Sequence, residues 1–202
     1  MPDKKKFYLE DLVNDLENLR SKLYLNKIHL IGHSLGGQIG PAYVRKFPNN
    51  AISLTMLSTA AFRTNSEKQK TLNLINDIRN IGLDAVVPKL INRWYTDEFT
   101  KKNPNLILKR IKMIKEMNIE TFCRVFWIYA TCTMEEWLNE ISIPTLLITG
   151  ENDLSCNPKI NMKMAEVIKN SKLEILPKYK HSITSEAGEI VGIKIKEFLD
   201  KL

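Results

Sequence analysis

Hydrophobic and polar positions along the chain follow helical and strand-like spacing in turn. Residues 7–24 carry one apolar stripe at helical spacing, formed by Leu9, Leu12, Val13, Leu16, Leu19 and Leu23. Apolar runs at 27–31 and 51–57 predict strands, and the residues between them, 38–47, favour a helix. Strands that alternate with helices are typical of a parallel sheet.

The second half of the chain repeats this order after a long helical region. Residues 66–137 show no convincing strand, and their spacing predicts helices at 69–81, 83–94, 104–117 and 119–130. A continuous apolar run at 144–149 predicts a buried parallel strand. A helix at 158–169, a strand at 173–176 and a helix at 186–202 complete the pattern. We therefore expect an α/β fold with a parallel sheet covered by helices on both faces.

A glycine-rich turn joins the first predicted strand to its helix. Gly-His-Ser-Leu-Gly-Gly occupies 32–37, so Ser34 would project from the carboxyl end of a strand beside a helix N-terminus. A serine held at strained backbone angles needs small residues around it, and Gly32 and Gly36 would supply them, with Gly37 adding room. The pattern G-x-S-x-G in this context indicates a nucleophilic serine. The alternative is a turn that only caps a helix.

A nucleophilic serine needs a base, and the chain has three histidines. His29 lies inside the predicted strand. His33 lies in the turn itself, where its side chain is expected to point away from the Ser34 hydroxyl. His181 follows the predicted strand at 173–176, in a loop at a strand end. We therefore predict that His181 is the base; the alternative is a surface loop histidine.

The acid that would orient this base is expected at the end of the strand at 144–149. Gly150 ends the strand, and Glu-Asn-Asp follows at 151–153. Asp153 would be able to reach Nδ1 of His181, whereas Glu151, one residue past the glycine, is expected to have a solvated side chain. The sequence therefore favours Asp153 over Glu151.

These segments resemble the α/β-hydrolase superfamily over nearly the whole chain. Residues 32–37 resemble its nucleophile elbow, 143–153 its acid strand and 180–182 its histidine loop. Leu-Ser-Thr-Ala-Ala at 57–61 and Asn-Arg-Trp-Tyr-Thr-Asp-Glu-Phe at 92–99 resemble the 3-oxoadipate enol-lactonase branch.

The resemblance implies an α/β-hydrolase fold in which residues 1–63 and 141–202 form the core and 64–140 a helical cap. It also implies a serine hydrolase of a small carboxylic ester or lactone, with Ser34, His181 and Asp153 as the catalytic triad. A serine rather than an aspartate at the elbow argues against a dehalogenase. Carbon–carbon bond hydrolysis, peptidase action and acyl transfer stay open, because all of them can use the same triad.

One part of the family's machinery has no counterpart in this sequence. The backbone N–H of Leu35 matches one oxyanion donor, but the second, from a loop after the third strand, is not found. The family's first strands are also expected to be missing, which would leave 28–31 as an exposed apolar edge. A homodimer paired through this edge is therefore expected, and a non-catalytic or mis-started fragment of such a hydrolase is the alternative function.

Aromatic and methionine side chains are frequent in the predicted cap. Trp94 and Trp127 are expected to line an apolar pocket over Ser34, and Arg93 or Arg124 to bind a substrate carboxylate. For each single residue, packing or a surface ion pair is the alternative.

Composition and charge restrict the classes of function. The chain is 44% hydrophobic and 26% charged, as is ordinary for a globular protein, and its net charge of +7 is spread without the aromatic interleaving of a nucleic-acid groove. Its 3 cysteines lack metal-ligand spacing and fit a reducing cytoplasm. No apolar run is long enough for a bilayer, and the N-terminus lacks a signal sequence. We expect a small-molecule substrate and no metal, organic cofactor, nucleic acid or membrane.

Overall fold

The computed structural model describes residues 6–202, so the first five residues of the predicted segment 1–63 lie outside the described residues. The strands in this range are β1 (Ile28–His33), β2 (Ala51–Leu57), β3 (Thr145–Gly150) and β4 (Ser171–Leu176). They form one sheet in chain order, and each neighbouring pair is parallel. The predicted parallel sheet is confirmed.

The helices of the described residues lie between and after these strands. They are α1 (Leu9–Lys22), α2 (Gly36–Lys46), α3 (Asn65–Trp94), α4 (Asp97–Lys102), α5 (Pro104–Lys115), α6 (Ile119–Thr131), α7 (Pro158–Val167), α8 (Ile183–Glu186) and α9 (Gly188–Leu199). Short 3-10 helices lie at Pro48–Asn50, Met134–Glu136 and Leu138–Glu140.

The described chain divides into two compact units. We call Arg63–Thr131, with the described residues up to Phe7, the helical unit, and Tyr8–Phe62 with Cys132–Leu202 the sheet unit. The insertion predicted from the sequence, 64–140, therefore extends nine residues beyond the helical unit. In these residues Glu140 accepts a hydrogen bond from Arg45 of α2 at 2.8 Å, and the Arg45 guanidinium lies 5.1 Å from the ring centre of Trp137. These contacts attach residues 132–140 to the sheet unit.

Helices cover both faces of the sheet. On one face Leu57 of β2 and Ile148 of β3 pack with Val191 of α9. Side chains of opposite parity point to the other face. There Leu54 approaches α2 so closely that a Cβ atom on Gly40 would lie 2.7 Å from it. The sheet with helices on both faces is therefore present as predicted. Because its strands are parallel, the carboxyl ends of all four lie at the same end of the sheet.

In the helical unit, α3 breaks at Gly82, whose φ of 81° lies in the left-handed region. The break separates the two helices that the sequence predicted there. The first of them begins earlier than predicted, because Thr64 and Glu67 form reciprocal side-chain to backbone hydrogen bonds at its N-terminus. The buried core of this unit is apolar and consists mainly of residues from α3, α5 and α6: Ile75, Ile78, Leu83, Val86, Val87, Leu90, Ile91, Tyr95, Ile107, Ile114, Phe122 and Cys123.

The three cysteines of the chain differ in burial. Cys123 and Cys156 are buried free thiols, Cys132 is half-buried, and burial raises the pKa of the Cys123 thiol.

Among the helices that the structure describes, none combines the length and the apolar character needed to cross a membrane.

Strand β1 forms one edge of the sheet within the described residues. Ile31 on this strand is 52% exposed, whereas its neighbour Leu30 is buried. Leu19 of helix α1, which precedes the strand, and Leu23, the residue after that helix, are also exposed. Ile31 is thus an exposed apolar side chain on this edge strand, and the pairing of two chains through it stays a prediction.

Candidate active site

Ser34 lies on the sharp turn between β1 and α2. Its φ is 56°, a left-handed conformation that residues other than glycine rarely adopt. The N–H of Ser34 donates to the carbonyl oxygen of Leu57 at 2.8 Å, and the Thr59 hydroxyl donates to the carbonyl oxygen of Ser34. These hydrogen bonds come from the end of the neighbouring strand β2, and they hold the strained residue in place.

The glycines around Ser34 differ in how much room they provide. A Cβ atom on Gly32 would lie 2.1 Å from the carbonyl oxygen of Gly36, and one on Gly37 would lie 1.9 Å from Oγ1 of Thr59. A Cβ atom on Gly36 would meet nothing within 4 Å. The expectation that Gly36 supplies the space after the serine is therefore wrong. Gly37 supplies it, because the start of α2 passes directly over Thr59.

The structure brings together the three residues that the sequence singled out. Nε2 of His181 lies 3.1 Å from Oγ of Ser34, and its Nδ1 lies 2.7 Å from Oδ2 of Asp153. An ionised carboxylate only accepts hydrogen bonds, so Nδ1 carries a proton and Nε2 accepts the bond from the Ser34 hydroxyl. His181 and Asp153 are 7% and 1% exposed, so this chain of hydrogen bonds is largely shielded from water.

Asp153 is held as a carboxylate by its surroundings. Its Oδ1 accepts the backbone N–H groups of Ser155 and Cys156 at 2.8 and 2.9 Å. Burial by itself raises the pKa of this carboxyl. The hydrogen bond with His181 and the two N–H groups more than offset the burial, so the pKa of Asp153 lies below its ordinary value. An ionised Asp153 fixes which nitrogen of His181 carries the proton.

The histidine loop lies against the end of β3. A Cβ atom on Gly150 would be 2.3 Å from the carbonyl oxygen of Lys180, and the N–H of Asn152 donates to the carbonyl oxygen of Tyr179 at 2.9 Å. Glu151 is exposed, as expected, and its carboxylate accepts the N–H of Lys178 at 2.8 Å. The acid turn therefore holds the histidine loop through backbone contacts as well as through Asp153.

The two other histidines have different partners. Nδ1 of His29 lies 2.8 Å from Oγ of Ser53 on β2. Nε2 of His33 lies 2.9 Å from the backbone carbonyl oxygen of His181, and the two imidazole rings are 5.0 Å apart. The sequence did not indicate the contact between His33 and His181, since 148 positions separate the two residues.

The backbone N–H of Leu35 is the predicted oxyanion donor. Leu35 directly follows Ser34, and α2 begins at the next residue. The first N–H groups of a helix have no partner within it and lie at the positive end of its dipole. Such a group can stabilise negative charge that develops beside Ser34. Its role in a reaction stays a prediction.

One cluster in the described residues has the atom types of a metal site. Ligand atoms of Asp153, Cys156 and His181 lie within 4.8 Å of one another. Two of them, on His181 and Asp153, are only 2.7 Å apart. Two ligands at about 2.1 Å from one zinc ion in tetrahedral geometry would stand about 3.4 Å apart. The observed 2.7 Å between His181 and Asp153 is the length of a direct hydrogen bond, and it is shorter than the separation of two ligands on one zinc ion.

The residues expected to bind substrate all lie in the helical unit. Trp94 and Trp127 are half-buried and pack against its apolar core, and Arg93 is exposed. The guanidinium of Arg124 lies 4.0 Å from the ring centre of Trp127, and its Nε donates to the carbonyl oxygen of Phe7. Contacts within this unit therefore account for the positions of both tryptophans and of Arg124. Their role in substrate binding stays a prediction.

The fold and the arrangement at the strand ends agree with a comparison to known families. The model of the protein family described as alpha/beta hydrolase fold matches residues 2–187. This chain therefore belongs to the alpha/beta hydrolase fold family.

Individual relatives match the chain at lower identity. A protein of Bacillus subtilis (strain 168), provisionally named 2-succinyl-6-hydroxy-2,4-cyclohexadiene-1-carboxylate synthase, is 27% identical over 94% of this chain and 72% of its own length. 3-Oxoadipate enol-lactonase 1 of Acinetobacter baylyi (strain ATCC 33305 / BD413 / ADP1) is 28% identical over 72% of this chain and 54% of its own length. The solved structure of a thermophilic esterase from Thermogutta terrifontis, with malate bound, has a TM-score of 0.85 at 26% identity. The match covers 96% of this chain and 73% of the esterase.

Proposed function

We propose that this protein is a serine hydrolase that acts on a small carboxylic ester or lactone. The observation that carries the proposal is the continuous path of hydrogen bonds from the Ser34 hydroxyl through His181 to Asp153, at 3.1 and 2.7 Å. A buried imidazole between a serine hydroxyl and an ionised carboxylate is the arrangement that activates serine as a nucleophile. The backbone strain at Ser34 adds support, because strained residues cluster at active sites.

In the first half of the proposed reaction, Nε2 of His181 takes the proton of Ser34 as Oγ attacks the substrate carbonyl carbon. The carbonyl oxygen becomes negatively charged, and the N–H of Leu35 donates a hydrogen bond to it. The imidazolium is stabilised by Asp153, whose carboxylate stays ionised. His181 then gives its proton to the leaving alkoxide, the ester bond breaks, and the acyl group remains on Ser34.

In the second half, His181 takes a proton from water as the water oxygen attacks the acyl carbonyl. The bond to Oγ of Ser34 breaks, and His181 returns the proton to the serine. With an ester the products are an acid and an alcohol. With a lactone the leaving oxygen stays in the same molecule, so a single ring-opened acid is released.

The substrate class is supported by two relatives, one named an enol-lactonase and one an esterase. We propose that Trp94 and Trp127 contribute apolar substrate contacts and that Arg93 binds a carboxylate on the substrate. An arginine suits this role because its guanidinium forms bidentate pairs with carboxylates. Replacing Arg93 by Gln should raise KM for a lactone acid and leave KM for an uncharged ester unchanged. Equal effects on both substrates would contradict this role.

The direct test is covalent labelling of Ser34. A fluorophosphonate probe should label the wild-type protein once, and peptide mass spectrometry should locate the label on Ser34. The variants Ser34→Ala and His181→Ala should not be labelled. His29→Ala is the matched control for His181, because His29 is an exposed histidine whose Nδ1 contacts the hydroxyl of Ser53 on β2. This control should be labelled at the wild-type rate.

The same experiment separates the alternatives that the sequence left open. A folded protein that no fluorophosphonate labels would support the non-catalytic alternative and contradict the proposal. Labelling of Ser34 without turnover of p-nitrophenyl acetate or simple lactones would contradict ester hydrolysis and favour carbon–carbon bond hydrolysis or acyl transfer. Release of p-nitrophenol with an initial burst equal to one equivalent of enzyme would support the acyl-enzyme on Ser34.

A further inference from the structure

His33 connects the nucleophile strand directly to the residue that would act as the base. Its Nε2 lies 2.9 Å from the backbone carbonyl oxygen of His181. A carbonyl oxygen only accepts, so Nε2 of His33 carries a proton and donates it to this bond. The two rings also lie near each other, with centres 5.0 Å apart and planes inclined by 47°. One side chain thus contacts both the backbone and the ring of His181.

Other contacts that hold the histidine loop come from β3 and the acid turn that follows it. Asp153 binds the His181 ring, Asn152 binds the loop backbone, and the loop rests against Gly150 at the end of β3. All three of these residues belong to the acid turn or its strand. His33 instead is the last residue of β1 and is covalently bonded to Ser34. Its hydrogen bond therefore fixes the backbone of the base relative to the backbone of the nucleophile.

We propose that His33 is a positioning residue that sets the distance between Nε2 of His181 and Oγ of Ser34. This inference rests on the proposed function of the site. Proton transfer in that reaction depends on a separation that is now 3.1 Å. Misplacing a reacting group by about 1 Å costs about 100-fold in rate. The proposed base remains His181, whose Nε2 contacts Oγ of Ser34, whereas Nε2 of His33 contacts the His181 carbonyl oxygen.

The proposal requires the N–H group of His33 and not its ring alone. His33→Gln keeps an N–H donor at a similar distance from the backbone. His33→Asn has the same amide group one methylene shorter, and His33→Phe has a ring without a donor. We expect kcat for p-nitrophenyl acetate to fall by about 10- to 100-fold in the Asn and Phe variants and to be largely restored in the Gln variant. KM should change little, because His33 is not proposed to contact the substrate.

A spectroscopic measurement makes the test independent of turnover. The Nδ1–H proton between His181 and Asp153 should give a downfield proton NMR signal in wild-type protein and in His33→Gln. The signal should broaden or disappear in His33→Asn, because a loosely held imidazole exchanges its proton with water. His29→Asn provides the matched control on the same strand, with unchanged kcat and signal.

The possible outcomes separate this proposal from the proposed function. Wild-type kcat together with a wild-type signal in His33→Asn would overturn the positioning role, whatever the stability of the Phe variant. Loss of rate in both amide variants alike would also overturn it, because the donor would then not be what matters. If Ser34 proves unreactive, the proposed function fails, and the NMR comparison of the two amide variants still decides whether His33 holds His181.

Discussion

The sheet unit and the helical unit hold the side chains of the predicted site in different ways. At the strand ends of the sheet unit, Ser34, His181 and Asp153 are fixed by hydrogen bonds of 2.7 to 3.1 Å and by close approach of backbone to glycine. In the helical unit, Trp94 and Trp127 lie against an apolar core, and the contacts are mostly those of packing.

This difference has a consequence for substitutions. Hydrogen bonds are directional, so a change of one atom at the strand ends should alter rate with little change in volume. Apolar packing is non-directional and proportional to buried area, so substitutions in the helical unit should act mainly through the free energy of unfolding.

The largest effect is expected for Asp153→Asn. An asparagine presents an N–H group or a weaker acceptor to Nδ1, so His181 is no longer held with its proton on that nitrogen. In serine hydrolases such a change lowers kcat by about 10⁴-fold. The measurement is kcat for p-nitrophenyl acetate, with Glu151→Gln as the matched control, since Glu151 is the exposed acid of the same turn. A similar loss of rate in both variants would contradict the assignment of Asp153.

The sequence was sufficient for those parts of the fold that depend on local periodicity. The run at 144–149 is apolar without interruption because β3 is buried along its whole length. Gly82 interrupts two helical patterns, and the structure breaks α3 at that residue. The short helix α4 was not predicted, although Thr96 gives the sequence signal of a cap, and its hydroxyl accepts the N–H of Phe99.

For the site, the sequence was sufficient for the residues but not for their supports. Ser34, Asp153 and His181 each follow a strand, and parallel strands bring their carboxyl ends together. The relative importance of Gly36 and Gly37 depends on the position of Thr59, two residues past the end of the neighbouring strand β2. The contact of His33 likewise depends on a loop far along the chain. Such contacts between distant segments have no local period and no composition that would reveal them.

The second prediction concerns the core of the helical unit. Phe122 is 5% exposed and lies in its apolar core. Phe122→Ala should lower the free energy of unfolding by about 3–5 kcal/mol, because it removes buried area and leaves a cavity. Urea denaturation measures the change. Ile119→Ala, on the same helix but 42% exposed, is the control and should cost far less. Equal losses would show that the core is not organised around this face of α6.

The third prediction separates two adjacent glycines of the elbow. Gly37→Ala should lower the free energy of unfolding by about 1–3 kcal/mol, because the new methyl group overlaps Thr59. Gly36→Ala should be neutral or stabilise by up to about 1 kcal/mol, because its methyl group meets open space and alanine favours a helix. The comparison uses the same denaturation assay. A larger loss in the Gly36 variant would contradict the geometry of the turn.

The fourth prediction is the acid dependence of stability that Asp153 contributes. The pKa of its carboxyl is lower in the folded protein than in an unfolded chain, where the pKa of aspartate is about 3.9. Its contribution is therefore present above that pH and is lost as the pH falls through the lowered folded value. The difference in unfolding free energy between wild type and Asp153→Asn should narrow as the pH is lowered from 7 to 3. A constant difference over this range would contradict the lowered pKa.

The smallest effect on stability is expected at the outer strand of the sheet unit. Ile31 is 52% exposed on β1, and Ile193 is 51% exposed on α9, so the two residues form a matched pair on different surfaces. Replacing either by lysine should change the unfolding free energy by about 0.5 kcal/mol or less, because neither side chain is buried.

The effects of these two substitutions on association should differ. A charged side chain on an edge strand opposes pairing with another strand. If two chains pair through β1, Ile31→Lys should shift the protein from dimer to monomer in light scattering after size-exclusion chromatography, whereas Ile193→Lys should not. A wild-type protein that stays monomeric at high concentration would show that this edge does not pair two copies of the chain.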